Sequence, residues 1–403
     1  MRGLILSGMA LIAATYGLAR FGYGLFLPQL GAAFALSPAV AGVVQSGSFL
    51  SYCFAAALAA RLAPQPRWTI VAAGATAAAG SVGIALAQSP VALAVSVIVA
   101  GAGAGFASPA LVALVQRAVP AAREERAQTT VNAGTGVGIL AAALLLVAAG
   151  DHWRAAWAGI ALLSAGATVA VLLTGRRAAS VGRPTPGSRR GGAGLVRALA
   201  APIAAALLAG ASSAAIWTFG STLLTDTAPL GPGSAVLAWA ILGAFGAAGA
   251  WAARVVQAWS LRVAWVATTL TMVGATLALG LGLGFSADPG VLLGAVALVG
   301  VAAFGAGYTA LSGVLIVWAA RIDAPRAAQG TVVLFIALAV GQSLGAAMIG
   351  ALMEPLSPAG AFAVASALGA AALLPAIRPG GGVGSPTPLP PGSSGRRRAA
   401  TTS

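Results

Sequence analysis

Leu4-Ile-Leu-Ser-Gly-Met-Ala-Leu-Ile-Ala-Ala-Thr-Tyr16-Gly-Leu-Ala-Arg20-Phe-Gly-Tyr23-Gly-Leu-Phe-Leu-Pro28-Gln-Leu30 is an apolar run of 27 residues with one charge, Arg20. About 20 helical residues cross a hydrocarbon layer about 30 Å thick. Backbone groups in that layer must be paired within the segment, so the run reads as a spanning helix. The chain outside it has the same character: 59% of the 403 residues are hydrophobic and 7% charged, too few charges to wet the surface of a soluble globule. No stretch alternates apolar and polar residues as a barrel strand does. The expected class is an all-α membrane protein.

Eleven further apolar stretches follow, giving twelve expected transmembrane helices. The spans are 4–30, 37–60, 68–87, 91–116, 127–149 and 154–175, then 199–224, 233–253, 263–285, 290–320, 328–353 and 359–377. Turn chemistry and charge mark the breaks, as at Pro64 to Arg67, Pro120 to Arg126 and Asp288 to Gly290. Another reading of Met1 to Ala14 is a cleaved signal peptide, but the apolar character continues to Leu30 and removal would leave an odd helix count. The Arg-, Gly-, Pro- and Ser-rich segment 176–198 divides the spans six and six and reads as a flexible linker. This gives an N-terminal six-helix bundle at 1–175 and a C-terminal one at 199–377. The tail 378–403, with its prolines and Arg396 to Arg398, has no periodicity and is expected to be disordered. One cysteine, Cys53, excludes an internal disulfide.

All 22 basic residues are arginines. With the N-terminus inside, 20 of them fall in inner connectors or the tail, only Arg154 in an outer loop, and Arg20 within a span. The positive-inside rule therefore predicts cytoplasmic N- and C-termini. In a soluble protein the net charge of +15 would suggest nucleic acid. Here anionic lipids of the inner leaflet are the simpler partner, and no nucleic acid is expected.

The two halves look like copies. Gly101-Ala-Gly-Ala-Gly105-Phe106 before Ser108-Pro109 in the fourth span has a counterpart in Phe304-Gly305-Ala-Gly307-Tyr308 before Ser312-Gly313 in the tenth. Arg126-Ala-Gln128-Thr129 and Arg326-Ala-Ala-Gln329-Gly330-Thr331 then open the fifth and eleventh spans. An offset of about 200 residues with six helices between copies makes a parallel repeat. With these features residues 1–377 resemble the major facilitator superfamily (MFS) of transporters. The run Tyr16 to Pro28, followed by Gln45-Ser-Gly-Ser-Phe49, is similar to the bacterial branch near cyanate permeases. The superfamily's loop signature, Gly-x-x-x-Asp-Arg-x-Gly-Arg-Arg, is reduced here to Ala56 through Arg61 and Gly249 through Arg254, and its acid is missing from both. The arginine that drug/proton antiporters carry in the fourth span is replaced near Val97 or Val99, and Gly134, Gly136 and Gly138 occur without their proline.

Arg20 is the chemically informative residue. An arginine at the centre of a span costs roughly 2.5 to 3.5 kcal/mol on insertion scales, so it faces a cavity, a partner or water. No Asp, Glu, Lys or His lies well inside any expected span. Three readings stand: a counter-charge for an anionic substrate, a structural residue bonded to carbonyls and polar side chains, or a residue snorkelling about 10 Å to the outer surface. Tyr16 and Tyr23, four and three residues away, share its helical face and would form one polar stripe.

The MFS resemblance implies a cavity lined by spans one, four, seven and ten. Its further candidates are Ser213, Trp217 and Ser221 in the seventh and Tyr308 with Ser312 in the tenth, each set repeating every four residues. Trp217 and the serines read equally as packing and interhelical contacts. Gln45, Asn132 and Gln342 are candidates too, or helix-to-helix hydrogen-bonding groups. The glycine clusters read as packing faces, and Trp68, Trp153, Trp259, Trp265 and Trp318 as interfacial belts. His152 beside Asp151 makes a poor metal site, and no nucleophile or paired-carboxylate constellation suggests an enzyme. No cofactor is expected.

These features predict a secondary transporter of the bacterial inner membrane, multi-pass and monomeric, moving a small organic or pseudohalide anion by rocking its halves about a midplane site. Proton-driven multidrug or metabolite efflux is the alternative, opposed by the lack of a titrating group in the path, though Asp226 lies at the outer end of the seventh span. A transporter-derived sensor would need a soluble signalling domain or a long ordered loop, and these 403 residues hold neither.

Overall fold

The computed structural model describes residues 1–62, 65–178, 192–227, 233–257, 260–284 and 290–377, and among them the regular structure is entirely helical. Residues 179–191 of the expected linker and the whole expected tail lie outside the described residues, and the linker's Gly192–Ala198 is helical. In chain order the main helices are α1 (Arg2–Phe34), α2 (Pro38–Arg61), α3 (Pro66–Leu86), α4 (Pro90–Ala118), α5 (Ala122–Ala149) and α6 (Trp153–Ala178). After them come α7 (Ala200–Thr227), α8 (Ser234–Gln257), α9 (Leu261–Gly284) and α10 (Gly290–Ile322). A last stretch, Ala327–Ala371, has 45 residues. At 1.5 Å per residue it would be about 68 Å long, more than twice the hydrocarbon thickness. Ser357 breaks it: φ is 64° there, a left-handed value for a non-glycine residue, with Pro355 and Pro358 beside it. The break divides α11 (327–356) from α12 (358–371).

Ten stretches among the described residues are long and apolar enough to cross a membrane, counting residues 324–371 as one, and α8 contributes a shorter apolar helix, Ser234–Gly249. Local chemistry sets the ends. Ser37 and Ser89 cap α2 and α4, their hydroxyls accepting from Val40 N at 3.3 Å and Ala92 N at 3.2 Å, and Pro38 and Pro90 occupy the first helical position.

The packing repeats between halves. Helix α1 packs on α5, α2 and α3 on α4, and α3 on α6; correspondingly α7 packs on α11, α8 and α9 on α10, and α9 on α12. Small residues make these approaches close. A Cβ on Gly134 or Gly138 of α5 would overlap the carbonyls of Met9 and Ala13 in α1. Gly341 and Gly345 of α11 stand in the same relation to Leu207 and Ala211 in α7. The offset is 198 residues for α1 to α7 and 207 for α5 to α11, so both contacts map onto their copies. The halves meet through α2 on α11, α5 on α8 and α1 on α7.

Helix α1 is irregular around Arg20. Ala13–Arg20 is π-helical, and Phe21 N donates to Tyr16 O at 2.9 Å, a bond spanning five residues. Such wide turns inside α-helices recur at functional sites. Trp265 and Trp318, expected in interfacial belts, are instead buried and meet edge-to-face at 5.3 Å. Trp265 Nε1 donates to Ala372 O at 3.0 Å, so these rings pack α9, α10 and the end of the bundle together. Trp153 is also buried, edge-on to Phe34; Trp68 is exposed, and Trp259 lies outside the described residues.

Candidate substrate site

A cavity of about 410 Å³ lies between the two halves. Tyr16, Arg20 and Phe21 line it from α1, and Trp217, Tyr308 and Gln342 line it from α7, α10 and α11. It extends to the ends of α5 and α10 that carry Gln128 and Arg321. On the far side of Arg20 the halves are in contact. Ser221 Oγ donates to Leu25 O at 2.9 Å, Gly24 abuts the Trp217 carbonyl, and Gly42 abuts that of Ala346. The cavity is therefore closed beyond Arg20 and extends toward the end bearing Arg321.

Arg20 is 3% exposed. Its Nη2 donates to Gln342 Oε1 at 3.0 Å, joining the halves. Gln342 Nε2 in turn donates to Tyr308 Oη at 3.0 Å and Ser213 Oγ at 3.4 Å. Rings surround the guanidinium, with centroids at 4.2 Å for Tyr52, 5.0 Å for Phe49, 5.1 Å for Phe21 and 5.6 Å for Tyr16. Cation–π attraction at a desolvated site is worth about 2 kcal/mol, which offsets part of the burial cost. Among the described residues no carboxylate pairs with the guanidinium; Arg326 and Asp323 pair outside the cavity. Arg20 Nε is buried without an acceptor.

The structure brings Tyr16, Arg20, Asn132, Trp217, Tyr308, Ser312 and Gln342 to one cavity, and Ser213 to its wall through Gln342. The remaining candidates go elsewhere. The expected stripe of Tyr16, Arg20 and Tyr23 is split: Tyr23 is fully buried and its hydroxyl donates to Ala41 O of α2 at 3.2 Å. The π turn explains this, because bonds spanning five residues break the 3.6-residue phase that would align positions 16 and 23. Ser221 is spent on the α1–α7 contact. Gln45 is fully buried away from the cavity, with no partner for its amide atoms.

Four contributors escaped the sequence reading. Tyr52 accepts from Tyr16 Oη at 3.2 Å and, with Phe49, cages Arg20 from α2; their spacing of four and seven residues from Gln45 was the available signal. Phe21 stacks on Trp217 at 4.1 Å across the halves. Arg321, assigned to an inner connector by its charge alone, lines the cavity.

Known structures share this architecture at low sequence identity. The inward-open xylose transporter XylE from E. coli aligns with a TM-score of 0.72 at 13% identity, covering 92% of this chain and 94% of that one. A POT family transporter in complex with a thioalcohol-conjugated peptide aligns at 0.74 and 15% identity, covering 93% and 95%. The nucleoside transporter NupG aligns at 0.70 and 12% identity, covering 93% and 98%. These likenesses concern the fold. Comparison with curated proteins found no match. Residues 9–319 match the Major Facilitator Superfamily, well over half the chain. The chain belongs to that superfamily: it is a multi-pass membrane transporter, not an enzyme.

Proposed function

We propose that the chain is a monomeric secondary carrier of small organic or pseudohalide anions in a bacterial inner membrane, with twelve spans, six-helix halves at 1–175 and 199–377, and both termini cytoplasmic. The arginine distribution supports that orientation, and the break at Ser357 supports two spans after α10. In this orientation the cavity faces the cytoplasm, and transport proceeds by rocking of the halves about the Arg20 level. Resemblance of Tyr16 to Pro28 to the branch near cyanate permeases agrees with an anionic substrate.

One observation carries the reading. Arg20 is a buried cation at the closed end of the cavity, held by a neutral amide and aromatic rings, with no carboxylate beside it among the described residues. A buried charge without a counter-charge is costly, and the Gln342 bond and the rings offset only part of that cost. An anionic substrate supplies it by charge-assisted hydrogen bonds. Counterflow of candidate anions into proteoliposomes tests this, with Arg20→Ala expected to abolish exchange. Unchanged exchange by the variant removes Arg20 from the site. Proton-gradient-dependent efflux of organic cations would instead favour the drug-exporter alternative.

A further inference from the structure

We infer that the substrate is a monocarboxylate carrying a planar, apolar body, such as an aryl or arylalkyl carboxylate, and not a pseudohalide; this rests on the anion reading above. The first ground is donor accounting. Two N–H groups of cavity-lining residues, Arg20 Nε and Trp217 Nε1, are buried without an acceptor. Both are donors only, and neither can satisfy the other. They flank one ring: the Arg20 guanidinium lies 5.1 Å from the Phe21 centroid and the Trp217 ring 4.1 Å from it. A carboxylate offers about four acceptor sites and no donor, so it can answer an unsatisfied N–H without adding another. A neutral hydroxyl or amide could accept from these donors but would leave the Arg20 charge unmatched.

The second ground is charge. Besides Arg20, the only charged residue lining the cavity among the described residues is Arg321. It follows Tyr308 by thirteen residues on α10, about 20 Å along the helix axis. A small dianion cannot reach both cations, so the closed end matches a single negative charge.

The third ground is the volume and the nature of the walls. A three-atom pseudohalide is not much larger than water, whose share of volume is about 30 Å³. It would leave most of 410 Å³ to solvent. The surface beside Arg20 is aromatic instead. Tyr16, Tyr308 and Phe335 are half-buried and line the cavity, and Trp217 meets Tyr308 edge-to-face at 5.3 Å. A flat apolar body adds to such a cluster by offset or edge contacts.

The test compares benzoate, acetate, cyanate and the neutral analogue benzamide on the full-length purified protein, by thermal stabilisation and by counterflow in proteoliposomes. Benzoate is expected to stabilise and to exchange with an apparent affinity at least tenfold tighter than acetate or cyanate, and benzamide to do neither. Cyanate or acetate matching or exceeding benzoate overturns this inference but leaves an anion carrier. Benzamide matching benzoate removes the carboxylate requirement. Failure of every anion to bind or exchange overturns the anion reading itself. Trp217→Phe keeps an aromatic ring and deletes the N–H; it is expected to weaken benzoate at least fivefold. Unchanged affinity in that variant overturns the role given to Nε1.

Discussion

Replacing Gln342 separates the contribution of Arg20 to stability from the transport role proposed for it. In Gln342→Leu three bonds disappear: one from the Arg20 guanidinium at 3.0 Å, and those to Tyr308 at 3.0 Å and Ser213 at 3.4 Å. A hydrogen bond to a charged group contributes about 1.5 to 3 kcal/mol. Interhelical polar contacts in membrane proteins average about 0.6 kcal/mol each. The expected loss is therefore about 3 to 4 kcal/mol, nearer the lower figure because Ser213 keeps its bond to Gly210 O. Equilibrium unfolding by SDS in mixed micelles measures it. Gln342→Glu is the companion variant. It gives Arg20 a full counter-charge, so stability should match or exceed that of the leucine variant, while anion exchange falls because the cation is already neutralised. Two results would refute the reasoning. A leucine variant within about 0.5 kcal/mol of the parent would mean that the bridge between halves contributes little. A glutamate variant that exchanges anions with unchanged affinity would mean that the Arg20 charge is not read by the substrate.

Two further outcomes follow from the structure. Gly341→Val places a side chain on the Leu207 carbonyl, and overpacking there is expected to cost about 1 to 3 kcal/mol or prevent assembly, read as lost yield and thermal stability; tolerance without loss would contradict the close α7–α11 approach. Asp323 is held below the ordinary carboxylate range by its hydrogen bond from Arg326, so its contribution is full above the unfolded value near 3.8 and is lost as pH falls through the lower folded value. Asp323→Asn should therefore differ slightly from the parent at neutral pH and converge with it in acid, as followed by thermal unfolding; a gap that widens in acid would give the wrong sign.

Residue chemistry announced most of the scaffold. Ser37-Pro38 and Ser89-Pro90 start helices because a serine cap and a proline at the first turn are local devices. The cluster around Pro355 and Pro358 marks a break for equally local reasons. The spacing of Gly134 and Gly138 and of Gly341 and Gly345 announces packing faces, and the structure uses them so. What stayed hidden was non-local. A tryptophan near a span end reads the same whether it meets headgroups or, like Trp265, a second ring and a carbonyl from the far end of the chain. Tyr23 was misaligned because period-3.6 counting assumes no π turn, and Gly17, inside that turn, abuts Gly138 of another helix in a way that spacing along α1 does not show. Tyr52 reaches Arg20 from another helix, and spacing along α1 carries no trace of it.

The lack of a carboxylate beside Arg20 has an electrical consequence. On the anion reading the empty site carries one net positive charge through each reorientation, whereas the occupied site is neutral. Moving one elementary charge through the full membrane potential costs about 2.3 kcal/mol per 100 mV. Any part of the field that Arg20 crosses is thus felt by the empty carrier and cancelled in the loaded one. Such a carrier trades one anion for another readily and returns empty reluctantly. Exchange should outpace net flux, and net flux alone should bend with voltage.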